Sequence, residues 1–114
     1  MKRITITATR HESVVVLAVS GHLDGTTAPE LERAIHTWID DGVYQIVADF
    51  KELDFMSSAG LGVLMGAIHK VREKHGDIRL ARPNAGIRRL IELMGFNHLY
   101  QIFDTEENAI ASFQ

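Results

Sequence analysis

Asp49-Phe50-Lys51-Glu52-Leu53-Asp54-Phe55-Met56-Ser57-Ser58-Ala59-Gly60-Leu61-Gly62 is the stretch on which the reading of this chain turns. It runs from the end of an apolar strand, through a short turn, to two serines that open a glycine-rich helix. A helix N-terminus gathers unpaired backbone N–H groups and roughly half a positive charge, so it tolerates an added phosphate. The hydroxyl of Ser58 therefore stands where a small covalent change could act as a switch.

Upstream, Val43 to Phe50 reads as the strand that feeds this turn. Downstream, Leu61, Leu64, Ile68 and Val71 recur at helical spacing as a buried stripe, and His75-Gly76 ends that helix. Towards the N-terminus, Ile4 to Ala8 alternates apolar and polar, as a half-buried strand does. Arg10-His11-Glu12-Ser13 reads as a hairpin turn, and the run Val14 to Val19 as a second strand ended by Gly21. Thr26-Thr27-Ala28-Pro29-Glu30 predicts a helix start, with a hydroxyl cap, a proline in the first turn and an acid at the positive end. Leu31, Ile35, Trp38 and Ile39 share one face of it, and Gly42 is the stop.

Beyond the central helix, Asp77 to Ala81 is a short strand. Pro83-Asn84 opens a third helix with Ile87, Leu90, Ile91 and Met94 inward and Gly95 as cap. Leu99 to Phe103 reads as the last strand, and Thr105-Glu106-Glu107 caps a short helix ending near Phe113. The order β-β-α-β-α-β-α-β-α predicts one α/β domain over residues 1–114. Its sheet of about five strands is mixed and mostly parallel, with right-handed crossovers and about four helices packed on it.

Composition narrows the function classes. Of the residues, 46% are hydrophobic and 24% charged, with a net charge of −3. The basic residues are scattered, which argues against a nucleic-acid module. The absence of cysteine excludes disulfides and thiol chemistry. No apolar run approaches a membrane span, and Met1-Lys2-Arg3 is not followed by a signal-peptide core. A cytoplasmic monomer without membrane attachment is the expectation.

Catalysis finds little support. The six histidines show no metal-binding spacing; His69 and His75 read as lying on one helix but on different faces. Ser58 lacks the Gly-x-Ser-x-Gly elbow of a hydrolase. Gly60, Gly62 and Gly66 match neither a P-loop nor a dinucleotide fingerprint. No catalytic residue, metal or cofactor is expected. Each glycine inside a helix costs roughly 1 kcal/mol relative to alanine. Gly62 and Gly66 lie roughly opposite the buried stripe, so they fit a low outer face that a partner's backbone can approach, the alternative being close packing of this helix on its own neighbours. Asp24 could orient the turn after Gly21-His22-Leu23, or face the Ser58 loop from a neighbouring strand end.

Gly21-His22-Leu23-Asp24 leading into Thr27-Ala28-Pro29-Glu30-Leu31, followed by Asp49-Phe50-x-x-Leu53-x-Phe55-Met56-x-Ser58-x-Gly60-Leu61-Gly62-Val63-Leu64, resembles the bacterial anti-sigma factor antagonists of the STAS family. The likeness continues through Lys70 to Lys74, Gly76 and the Ile87 to Gly95 helix. It implies a partner-switching protein. The unphosphorylated antagonist binds an anti-sigma factor that is also a serine kinase of histidine-kinase-like ATPase fold, and a sigma factor is released. Phosphorylation of one serine ends the binding, and a PP2C-type phosphatase restores it. The phosphoacceptor falls on Ser58.

Two positions depart from the family pattern. Ser57 replaces the acid usual before the phosphoserine and adds a second possible acceptor; Ala59 replaces a hydroxyl after it. Partner contacts are expected on Asp24, Gly25, Thr26 and Thr27, on Ser57 and Ser58, and on the outer face at Gly62, Gly66 and His69. The alternative is a STAS accessory module of a transporter or signalling scaffold with no sigma-factor output.

Overall fold

Residues 3–114 are described by a computed structural model. The first two strands, β1 (Ile4–His11) and β2 (Val14–Leu23), form an antiparallel hairpin. Glu12 takes a positive φ of 58° in its tight turn. Val14 to Leu17 are all buried, so this run does not alternate as a one-faced strand would. Gly21 does not end β2, as the sequence suggested, but bends it. At φ 100°, any Cβ there would stand 2.2 Å from the Arg3 carbonyl oxygen, and the strand continues to Leu23.

The remaining elements are α1 (Ala28–Asp40), β3 (Gln45–Asp49), β4 (Leu53–Met56), α2 (Ser58–Glu73), β5 (Asp77–Ala81), α3 (Ala85–Leu93), a 3-10 turn at Phe96–His98, β6 (Ile102–Phe103) and α4 (Glu106–Ala111). The sheet has six strands, in the order β1-β2-β3-β5-β6, and every pairing after the first hairpin is parallel. The strand missing from the sequence reading is β4. Only Lys51-Glu52 turns; Leu53 to Met56 then pairs with the far end of β2, with Leu53 and Met56 buried and Asp54-Phe55 exposed. Four residues with that pattern carry no alternation to detect. The order is therefore β-β-α-β-β-α-β-α-β-α.

The main core lies between one sheet face and the helices α1, α2 and α3, where Leu31, Ile35, Leu64, Ile68 and Ile87 meet Val15, Leu17, Ile46 and Leu80. Among the described residues, the other face is covered by α4 and the Phe113 that follows it, over Val14, Val16, Val47 and Ala81. Three further expectations are corrected. Met94 is 49% exposed and Leu93 72%, because α3 stops at Leu93 and Gly95, at φ 75°, turns the chain away. Leu99 to Gln101 are not strand; they follow the 3-10 turn and lead into β6 with Tyr100 buried. His75 lies beyond α2 rather than on it, at φ 64°.

Candidate functional site

The strands β2 and β4 end side by side, and the backbone N–H of Ser57 donates to the Leu23 carbonyl at 2.9 Å. This bond sets the Asp24–Thr27 loop against the serine pair at the carboxyl edge of the sheet. Ser57 then leaves the strand with extended backbone and caps α2, its hydroxyl accepting from the Ala59 N–H at 3.3 Å. Ser58 is the first residue of the helix and is exposed. The two serines thus divide the work: Ser57 is half-buried and holds the helix end, and Ser58 faces solvent. Gly60 is buried directly behind them, where a Cβ would stand 2.7 Å from the Leu23 side chain. It lets α2 sit close on β2.

Asp24 does the first of the two jobs considered for it. Its Oδ1 accepts from the Thr26 N–H at 2.9 Å, the Thr26 hydroxyl at 2.7 Å and the Thr27 N–H at 3.2 Å. Its other oxygen pairs with Arg3, which also donates to the Thr26 hydroxyl at 2.9 Å. The Thr26 hydroxyl above all holds the Asp24 carboxyl down to about 2. The expected hydroxyl cap of α1 is not made: Asp24 Oδ1 takes N–H groups that precede the helix, and the Ala28 N–H goes to the Asp24 backbone carbonyl at 2.8 Å. Thr27 makes no side-chain cap there. It is buried instead, donating its hydroxyl to the His22 carbonyl at 2.8 Å and accepting from the Asp24 N–H at 2.9 Å. Gly25 and Thr26 form the exposed tip.

The other expected contact residues run down α2. Gly62, Gly66 and His69 are exposed, and a Cβ at either glycine would meet nothing within 4 Å. At 100° per residue, His69 falls on the Ser58 side, about 16 Å along the axis. The outer face is therefore open at its glycines. Three members of this surface escaped the sequence reading. Met65, 38% exposed, sits in the same stripe; its seven-residue spacing from Ser58 was the available signal. Phe55, 48% exposed, stands next to His22, ring centroids 6.0 Å apart. Arg3 is the partner of Asp24, and nothing in the sequence joined them. Among the described residues, no group of three His, Cys, Asp or Glu side chains is placed to hold a metal, and no helix is long and apolar enough to cross a membrane.

Behind this edge, Asp49 closes β3. It is 3% exposed and held by two guanidinium nitrogens of Arg82, itself at φ 56°. Burial works to raise its carboxyl pKa, and hydrogen bonds from Arg82 and from the Lys51 N–H overcome this and keep it below the ordinary 3.8.

Residues 5–109 match the STAS domain family. The anti-sigma-F factor antagonist RsfB of Mycobacterium tuberculosis is 33% identical over 107 residues, covering 94% of this chain and 87% of RsfB. The crystal structure of an anti-sigma factor antagonist from Mycobacterium paratuberculosis superposes with a TM-score of 0.87 at 30% identity, over 96% of this chain and 92% of that one. The Bacillus cell fate determinant SpoIIAA, solved in its phosphorylated form, gives 0.77 at 25% identity, over 96% of this chain and all of SpoIIAA's (100%).

Proposed function

Because the chain belongs to the STAS domain family, we propose that it is an anti-sigma factor antagonist whose binding is switched by phosphorylation of Ser58. The observation that carries this reading is the division between the serines: Ser57 holds the helix cap, and Ser58 presents a hydroxyl to solvent. The partner of the unphosphorylated form is an anti-sigma factor that is also a serine kinase of histidine-kinase-like ATPase fold. It docks over the Asp24–Thr27 loop, Ser58 and the open face of α2. A PP2C-type phosphatase resets the switch. The protein itself acts as a monomer in the cytoplasm and turns over no substrate.

The physics favours a switch of binding over one of folding. A phosphate adds about −1.5 to −2 charge and three acceptor oxygens. At the first position of α2 the helix end makes that charge tolerable inside the domain. A partner pressed on the same spot meets its bulk and must desolvate it. Ser57 is the lesser acceptor, because its oxygen is engaged in the cap.

The test is incubation with native cell extract and ATP, read by intact mass and peptide mapping. One phosphate on Ser58, absent from Ser58→Ala, is the expected result. The kinase recovered from that extract should bind Ser58→Ala like wild type and Ser58→Asp at least tenfold more weakly. Equal affinity for the two variants refutes the mechanism.

A further inference from the structure

On the sheet face opposite α1, α2 and α3, α4 leaves the carboxyl ends of the strands uncovered, and a cleft of about 380 Å³ opens there. Its floor is built of small side chains. Thr7 and Ala18 pair across β1 and β2, Ala18 pairs with Asp49 of β3, and Ser20 continues the row. Ala18 is exposed although it lies on an interior strand. One wall is the Lys51-Glu52 turn, and the other is Arg82 with Glu106. The size suits a small molecule, and the carboxyl ends of parallel strands are where α/β sheets take ligands.

The walls are held in place. Asp49 Oδ1 accepts from the Lys51 N–H at 3.1 Å, which fixes the turn. Arg82 adopts a left-handed backbone that residues with a Cβ avoid, and Asp49 takes its Nε and Nη2. Nη2 also lies 3.6 Å from Glu106. Neither contact uses Nη1.

The charges select the ligand class. Three carboxylates (Asp49, Glu52 and Glu106) face two cations, so a simple anion is disfavoured. Asp49 is already satisfied by Arg82, so a simple cation would leave Lys51 and Arg82 Nη1 without acceptors. A molecule carrying one charge of each sign satisfies both. We propose that this cleft binds a free α-amino acid, its carboxylate on Lys51 and Arg82 Nη1 and its ammonium on Glu106 and Glu52. The site is separate from Ser58, so the proposal does not depend on the switch.

The test is a titration of the ¹⁵N-labelled full chain with each common L-amino acid at millimolar concentration, followed by amide shifts. At least one should saturate shifts at Thr7, Ala18, Ser20 and Lys51. Its N-acetyl and α-amide derivatives, each lacking one charge, should bind at least tenfold more weakly. Ala18→Leu, which fills the floor from an exposed position, should abolish the shifts while the rest of the spectrum is retained. Lys51→Glu, on an exposed turn, should weaken binding at least tenfold. No saturable shift at those amides from any amino acid overturns the proposal. So does equal binding of either derivative, or affinity unchanged in Lys51→Glu.

Discussion

The glycines of α2 look alike in sequence, yet adding one methyl group to each should have opposite consequences. A Cβ at Gly62 or Gly66 enters open space. Alanine there removes a helix-interior glycine and should stabilise by about 1 kcal/mol, a rise in Tm of about 4 °C for a domain of this size. At Gly60 the Cβ would lie 2.7 Å from both Cγ and Cδ2 of Leu23 and 3.2 Å from Met56. Leu23 has no exposed surface, so it has nowhere to retreat. Overpacking of this kind costs about 1–3 kcal/mol. Set against a propensity gain of at most about 1 kcal/mol, Gly60→Ala should lose up to about 2 kcal/mol. Urea denaturation of the three single variants, with the slope m unchanged, measures all of this. The same variants probe the contact surface. If a partner's backbone approaches the flat face, Gly62→Ala and Gly66→Ala should bind it more weakly while being more stable. A Gly60→Ala as stable as Gly62→Ala, or a destabilised Gly62→Ala, refutes the reasoning.

Ser57→Ala should lose about 1 kcal/mol with the α2 cap, whereas Ser58→Ala should stay within about 0.5 kcal/mol of wild type; thermal melts showing the reverse order would reassign the cap. Arg82→Ala leaves Asp49 buried and unpaired and should cost about 3 kcal/mol at neutral pH, breaking such a pair being strongly destabilising. Because the folded pKa of Asp49 is depressed, the pair stabilises fully above the unfolded value of 3.8 and loses this as pH falls through the lower folded value. The gap between wild type and Arg82→Ala should accordingly narrow below pH 3.8; urea melts with a constant gap down to pH 2 would exclude the ion pair as its source.

Long periodic segments were legible in the sequence, and so was the place of Ser58 at the start of α2. The stripe Leu61, Leu64, Ile68 and Val71 is buried as its spacing required, and Asn84 and Thr105 cap α3 and α4 with their side chains. What escaped notice was decided by neighbours distant in the chain. β4 exists because the end of β2 offers it a free edge beyond β3. Thr27 looked like a side-chain cap and is buried, because its hydroxyl is held by the His22 carbonyl and the Asp24 N–H. Met94 carried an apolar label into an exposed turn because α3 ended one residue before it. The Asp49–Arg82 pair spans 33 positions of sequence, and no local pattern announces it.

The bond from Ser57 to the Leu23 carbonyl has a consequence for how the neighbouring hydroxyl can be modified. Most kinase substrates offer a serine on a loose segment that threads an extended groove. Here the residue before Ser58 is stapled to a strand and the residue after it already belongs to a helix. An enzyme that phosphorylates Ser58 must accommodate a rigid corner of a folded domain. Its selectivity would then reside in the shape of the whole domain, and a short linear peptide copied from this stretch would carry the right letters without the feature being recognised.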